Sequence, residues 1–371
     1  MRVTFPHMGT LWLVLRALLE NFGHTVVVPP PVSSHTLALG AKYSPECVCL
    51  PFKVNVGNFL EAAASGADTA VMAGGTGPCR LGFYAASQRE ILRELGTDLR
   101  LLVLEPPEKG VWEIGRIIAP LTNGATPTEV VRNLRFALEL CQALDKVERE
   151  LSELRAMQIT PTSCDAVWET ALHLFGQVRD VAHLRRAKLQ VYELLGALER
   201  RGAPVPLRVA IVGEIYVVLE PSVNLNLEKR LGDMGVAVER SICVSDWVFS
   251  HLIPSPCALQ KERKLKSKAR PYLRGFVGGH GLETVGNSVL YGEQGVDGII
   301  QVMPLTCMPE IVAQSILPAV SRQLGVPIMT LVFDEHSGEA GLQTRLEAFV
   351  DMLRVRKSAP RRQNQWEKAF T

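Results

Sequence analysis

Aromatic residues are scarce in this 371-residue chain: 12 Phe, 5 Trp and 6 Tyr make only 6%. So thin a set disfavours a stacking platform for single-stranded nucleic acid. Net charge is also nearly absent. The 40 Lys and Arg set against 38 Asp and Glu leave a formal +2, which argues against a polyanion-seeking protein. Long hydrophobic runs are missing too. Apolar stretches such as 11–15 and 211–219 fall well short of the roughly 20 residues a helix needs to cross a bilayer. Neither a nucleic-acid partner nor a membrane is expected. The opening Met1-Arg2-Val3-Thr4-Phe5-Pro6-His7 reads as a short strand rather than a signal peptide, because Arg16 and Glu20 interrupt the apolar stretch after it. A cytoplasmic, reducing setting is therefore expected. The eight cysteines then read as free thiols or metal ligands rather than disulfides. There is no Cys-x-x-Cys, and no Gly-x-x-x-x-Gly-Lys-Ser/Thr loop, so ATP hydrolysis is not expected.

What is present is material for cores. Hydrophobic residues make 47% of the chain and charged residues 21%, and the length points to two domains. Strands are predicted at 2–5, 25–28, 69–73, 100–104, 208–212, 236–242, 298–303 and 327–333. Most are rich in Val, Ile and Leu without strict alternation, the pattern of strands covered on both faces. Helices are predicted at 11–22, 57–64, 85–95, 224–234, 282–294, 309–323 and 342–353. The fold class read from this rhythm is α/β: two doubly wound, Rossmann-like parallel-sheet lobes. The middle differs, with no strand runs and almost no glycine from Thr126 to about Arg200. Thr126-Pro127-Thr128-Glu129 makes a strong helix start. Val130, Leu134, Leu138, Cys141 and Leu144 then recur at helical spacing. The expected organisation is an N-terminal lobe over 1–120, a helical linking segment over 121–203, a C-terminal lobe over 204–356 and a basic tail over 357–371.

The cysteines fall unevenly over this plan. Cys79 closes Gly74-Gly75-Thr76-Gly77-Pro78-Cys79 just after a predicted strand, and Cys307 follows another strand through Met303-Pro304-Leu305-Thr306. Ligands of open α/β sheets bind outside the carboxyl ends of strands, so Cys79 and Cys307 are expected at the functional edge, one from each lobe. Cys49 lies in Pro45-Glu46-Cys47-Val48-Cys49-Leu50-Pro51, ahead of a helix. Thiolates suit zinc and iron–sulfur clusters, while buried reduced thiols are the plain structural alternative. Among the rest, Cys141 falls on the apolar stripe of its helix, Cys164 is near a helix start, and Cys243 ends a strand. Cys257 lies in Pro254-Ser255-Pro256-Cys257, which reads as a surface loop.

Over nearly its whole length the chain resembles the iron–sulfur subunits of the 2-hydroxyacyl-CoA dehydratase and benzoyl-CoA reductase family. The likeness is greatest to the acyl-CoA dehydratase activase-related branch, which also resembles double-cubane-cluster proteins. The carrying segments are Phe5-Pro6-His7-Met8-Gly9, Gly40-Ala41-Lys42-Tyr43-Ser44-Pro45-Glu46, Cys49-Leu50-Pro51-Phe52-Lys53, Gly75-Thr76-Gly77-Pro78-Cys79-Arg80-Leu81-Gly82-Phe83-Tyr84, Gly213-Glu214-Ile215-Tyr216, Cys307-Met308-Pro309-Glu310, and Asp334-Glu335-His336-Ser337-Gly338-Glu339 followed by Thr344-Arg345-Leu346-Glu347-Ala348-Phe349. The resemblance implies a 4Fe-4S cluster held by Cys49, Cys79 and Cys307 at the junction of the lobes. The fourth iron is left to a non-cysteine ligand, a substrate oxygen or a bridging sulfide to a second cluster, with Cys47 read either as a fourth ligand or as pointing away. It further implies low-potential electron transfer to an acyl-CoA substrate under anaerobic conditions, an ATP-dependent activase as partner, and a homo- or heterodimer. A cluster-bearing electron carrier or accessory protein is the non-catalytic alternative, and a zinc-stabilised binding protein a third reading.

Other features carry two readings each. Gly278-Gly279-His280-Gly281 precedes a helix and reads either as an anion-binding turn or as a tight glycine turn. In Asp334-Glu335-His336, the acids read as a proton relay at the crevice, or as a turn cap with Glu335 paired to Arg345. Glu214 and His7 end strands in the same way. Lys261, Arg263, Lys264, Lys266, Lys268, Arg270 and Arg274 form a basic run, read as a solvated helix face in preference to a phosphate or acidic-partner site.

Overall fold

The computed structural model describes residues 1–75, 77–105, 112–202, 205–251 and 256–358. The N-terminal lobe runs β1 (Arg2–Thr4), α1 (Leu11–Asn21), β2 (Thr25–Val26), α2 (Ser34–Tyr43), α3 (Leu50–Ala64), β3 (Thr69–Ala73), α4 (Leu81–Glu94), β4 (Arg100–Leu104) and α5 (Trp112–Ile118). Three helices follow: α6 (Pro127–Arg155), α7 (Ser163–Gly176) and α8 (Val181–Gly196). The C-terminal lobe runs β5 (Leu207–Gly213), α9 (Ile215–Leu219), α10 (Leu227–Asp233), β6 (Val236–Arg240), α11 (Val244–His251), α12 (Pro256–Ala269), α13 (Gly281–Glu293), β7 (Gly298–Pro304), α14 (Met308–Leu324), β8 (Ile328–Phe333) and α15 (Glu339–Ser358).

Each lobe holds a four-stranded sheet, ordered β2-β1-β3-β4 and β6-β5-β7-β8, with every neighbouring pair parallel. Matched strand for strand, the two orders are the same. In each, the chain enters mid-sheet, moves to one edge and crosses back. The order reverses between β1 and β3, and again between β5 and β7. Such reversals open a crevice at the carboxyl ends of the strands. The absence of alternation has its cause here: every residue of β7 is buried and β5 is nearly so, because helices cover both faces.

The helical segment is a wedge rather than a tether. Thr126 accepts the Glu129 N–H, and Glu129 Oε2 accepts the Thr126 N–H at 2.8 Å, with Pro127 at the first position of α6. Phe136, Leu140, Cys141, Leu144 and Leu151 of α6 then share one apolar cluster with Phe175, Leu184 and Val191 of α7 and α8. That cluster also takes in Leu13 of the N-terminal lobe and Leu219 and Ile242 of the C-terminal lobe. Burying apolar surface against both lobes fixes the angle at which they face each other.

Several boundaries differ from the sequence expectation. Helix α3 starts at Leu50, not residue 57. Its first ten residues are all buried, so no polar face marks the helical period. Helix α2 was not anticipated. Ser33 and Thr36 cap it reciprocally, and it lies so close to α3 that a Cβ on Gly40 would sit 1.8 Å from the Lys53 carbonyl oxygen. Helix α10 starts three residues late because Leu225 and Asn226 take left-handed φ of 57° and 56°. Pro256 and Cys257 begin α12 instead of continuing a loop. Pro254, Ser255 and the Cys257 side chain lie outside the described residues, as do Thr76, Ala203 and Pro204. Helix α15 runs through Lys357 to Ser358, past the expected start of the basic tail, whose remaining residues lie outside the described ones. Among the described residues no helix is long and apolar enough to cross a membrane.

Candidate metal centre

Each of the three singled-out cysteines stands at the start of a helix. Cys49 caps α3 and Cys307 caps α14, both with proline in the first turn, where the missing N–H has no cost. Cys79 lies just before α4. The Leu81 amide pulls the Cys79 pKa down and the Glu310 amide that of Cys307, in both cases less than burial pushes it up. Free amides and the helix dipole at such positions favour a thiolate. Cys79 follows β3 and Cys307 follows β7, so they occupy the same place in the two copies of the topology.

The fold brings these helix starts to one crevice. Cys49 is within electrostatic reach of both Cys79 and Cys307. The Gly278–Gly281 turn threads between the other two. A Cβ on Gly279 would lie 3.9 Å from Cys79 Sγ and 3.1 Å from Pro309 Cγ, and one on Gly281 would lie 2.4 Å from the Pro309 carbonyl oxygen. Gly278 has φ 87°, and a Cβ there would meet Pro78 Cγ at 2.8 Å. The glycines are thus explained by close backbone approach around the thiols. Arg80 clasps the lobes: its Nη1 donates to the Cys47 carbonyl at 2.6 Å and to Thr306 Oγ1 at 3.4 Å, while Thr306 Oγ1 donates to the same carbonyl at 3.2 Å. Thr306 holds φ 66°, a left-handed conformation costing a β-branched residue about 1–3 kcal/mol. The interlobe hydrogen bonds hold it there, next to Cys307.

Electrostatically the crevice is loaded with latent negative charge. Burial raises the pKa of all three thiols, and the Glu214 carboxylate adds to the rise for each. Glu214 stands where β5 ends, the counterpart of His7 after β1. Burial pushes its pKa up to about 7, although the Val217 and Tyr216 N–H groups pull the other way. Gly213 before it has φ 138°, and a Cβ there would sit 1.9 Å from the Val302 carbonyl oxygen, so only glycine lets the strand turn into Glu214. Acidic groups within electrostatic reach of one another in a partly buried site are stable together only as neutral acids or around a cation. Among the described residues, no three His, Cys, Asp or Glu side chains meet tightly enough to hold a single metal ion. A four-iron cluster takes each thiolate on a different iron and so asks for a wider triangle.

The remaining sequence candidates divide. His7 is buried and committed, with Nε2 2.8 Å from the Pro29 carbonyl oxygen and its N–H on Asn58 Oδ1. Asp334 caps a turn, accepting the His336 N–H at 3.0 Å and the Ser337 hydroxyl at 2.9 Å. Glu335 does not pair with Arg345. It takes Lys53 Nζ of the other lobe at 2.5 Å, a partner that linear distance conceals. Cys243 turns from the crevice to accept Arg149 Nε of α6 at 3.2 Å, and Cys164 is buried in the helical core. Cys47 is exposed, and its carbonyl rather than its sulfur is engaged. The basic run lies on α12 and the turn after it, where Lys261, Lys266 and Lys268 pair with Asp246, Glu262 and Glu293. Sequence reasoning missed Tyr84, whose hydroxyl lies 2.7 Å from Cys49 Sγ, and buried Glu310, which accepts from Thr284 and Gln301. One signal was available for the helix starts: Cys49-Leu50-Pro51 and Cys307-Met308-Pro309 share a Cys-x-Pro pattern.

No curated protein matches the chain. The sequence profile of the 2-hydroxyglutaryl-CoA dehydratase, D-component, family matches residues 113–353, more than half of the chain. The chain belongs to this family. The matched stretch spans the helical segment and the C-terminal lobe, with Glu214 and Cys307. Cys49 and Cys79 lie outside it, so their part in the site rests on the crevice geometry alone. A 2-hydroxyacyl-CoA dehydratase-like subunit built of two Rossmann-like lobes accounts for both the family and the fold.

Proposed function

We propose that the protein is a cluster-bearing subunit in which Cys49, Cys79 and Cys307 hold a 4Fe-4S-type centre for low-potential electron transfer. The observation that supports this reading is that Cys49, at the start of α3, lies within electrostatic reach of both Cys79 and Cys307, which stand at helix starts of the two lobes. The donor set fits such a group. It consists of soft ligands, latent negative charge and close glycine backbone, with no lysine among the described contacts of the thiols. A cluster bound there supplies single electrons at low potential, and an acyl-CoA thioester is the acceptor consistent with the family. The helix starts place the thiols, and Arg80 and Thr306 hold the two lobes in register. Glu214, whose Oε2 accepts the Val217 N–H at 3.0 Å, lies within electrostatic reach of all three thiols and presents a carboxyl that can hold a proton near neutral pH. Phe83, Phe276, Leu305, Met308 and Ile311 are exposed on the segments that carry or cover the thiols. That apolar rim suits an acyl chain. It equally favours the second reading, a non-catalytic carrier of the activase-related branch that docks an ATP-dependent activase or a second subunit over its centre, with a double-cubane cluster as the variant form.

The test is anaerobic purification with iron and acid-labile sulfide measured per chain. The expected result is brown protein with about four irons, lost in Cys79→Ala while the circular dichroism is unchanged. Colourless wild-type protein, or stoichiometric zinc in place of iron, overturns the reading. Turnover of a 2-hydroxyacyl-CoA with a low-potential donor separates enzyme from carrier.

A further inference from the structure

The phenol of Tyr84 has no role in the account so far, yet its hydroxyl lies 2.7 Å from Cys49 Sγ. It is held there firmly. Tyr84 is buried, and its ring stands edge-on to Phe52, with centroids 5.0 Å apart and planes at 87°. Phe52 belongs to α3, which Cys49 caps, and Tyr84 to α4, which starts beside Cys79. One side chain therefore ties the elements of two ligands together. A tyrosine phenol carries its proton at neutral pH. A metal-bound thiolate carries no proton, so in the loaded protein the hydroxyl can only be the donor.

We propose that Tyr84 is a positioning residue that sets the reduction potential of the centre by donating a hydrogen bond to the Cys49 thiolate; this rests on the cluster reading above. Reduction adds negative charge to the cluster and its sulfurs. A donor aimed at a sulfur stabilises the more negative state more strongly, and a dry site enlarges the difference. Tyr84 thus makes the centre easier to reduce, against the carboxylate of Glu214, which makes it harder.

The experiment is a redox titration of the anaerobically loaded protein, followed by electron paramagnetic resonance, with iron per chain measured alongside. Tyr84→Phe is expected to keep its iron while its ratio of reduced to oxidised centre at a fixed ambient potential falls about tenfold, a shift of about 59 mV to more negative potential for one electron. Placing 3-fluorotyrosine at position 84 preserves the shape, strengthens the donor and shifts the potential the other way. Iron retained with the potential unchanged in both proteins overturns this inference and leaves the cluster reading standing. Wild-type protein without iron overturns both. Should Tyr84→Phe lose its iron, the fluorotyrosine protein decides: a positive shift supports the inference and no shift overturns it.

Discussion

Replacing Lys53 by methionine tests how the lobes are locked. Lys53 lies on α3 with its side chain only 4% exposed, and its Nζ meets Glu335 Oε1 across the crevice at 2.5 Å and the Glu46 carbonyl at 3.2 Å. Methionine fills a similar volume, so no cavity opens. What is lost is the charge partner of Glu335. Breaking a buried ion pair costs about 3–5 kcal/mol. The Glu335 side chain is 22% exposed and can turn toward water, which places the expected loss near the lower end, about 3 kcal/mol at pH 7. The pH dependence has a definite sign. Burial alone raises the Glu335 pKa, but the hydrogen bond and charge of Lys53 outweigh it and hold the carboxyl below its ordinary value. Its contribution is therefore fully present above an unfolded-state pKa of about 4.3 and is lost as pH falls through the lower folded-state value. Urea unfolding of wild type and Lys53→Met at pH 7 and pH 3 reads both effects. The gap should be about 3 kcal/mol at pH 7 and should shrink in acid. A gap below about 0.5 kcal/mol at pH 7, the scatter of ordinary surface changes, refutes the argument. So does a gap of unchanged size in acid.

Two further outcomes are expected. Gly40→Ala should destabilise by about 3 kcal/mol in the same unfolding assay, because its Cβ would fall 1.8 Å from the Lys53 backbone oxygen, where two helices must separate to admit it. Cys47→Ser should leave iron content unchanged and stability within about 0.5 kcal/mol, since the residue engages its neighbours through its carbonyl. Loss of iron in that variant would make Cys47 a ligand and displace the assignment made above.

The strands and the start of α6 were legible because their signals are local. The Thr126 cap with Glu129, the glycine after α1 and the apolar runs of β3 and β4 each act over a few residues, and each appears where the pattern placed it. The all-buried start of α3 was not legible, since periodicity needs a polar face to register. The partner of Glu335 was not legible for a different reason: Lys53 is 282 residues away, and no local rule links them.

Chemistry-bearing residue types, their places at strand ends and helix starts, and the two-lobed parallel architecture follow from the order of amino acids alone, through hydrophobic pattern and capping. Which of those residues meet was decided only by packing. Burial of α6 against both lobes sets their mutual angle. Packing within the N-terminal lobe sets the start of α3 beside that of α4 and aims Tyr84 at Cys49, while the angle between the lobes brings the start of α14 toward them and Lys53 to Glu335, and packing against α6 leaves Cys243, a strand-end thiol too, facing Arg149 instead.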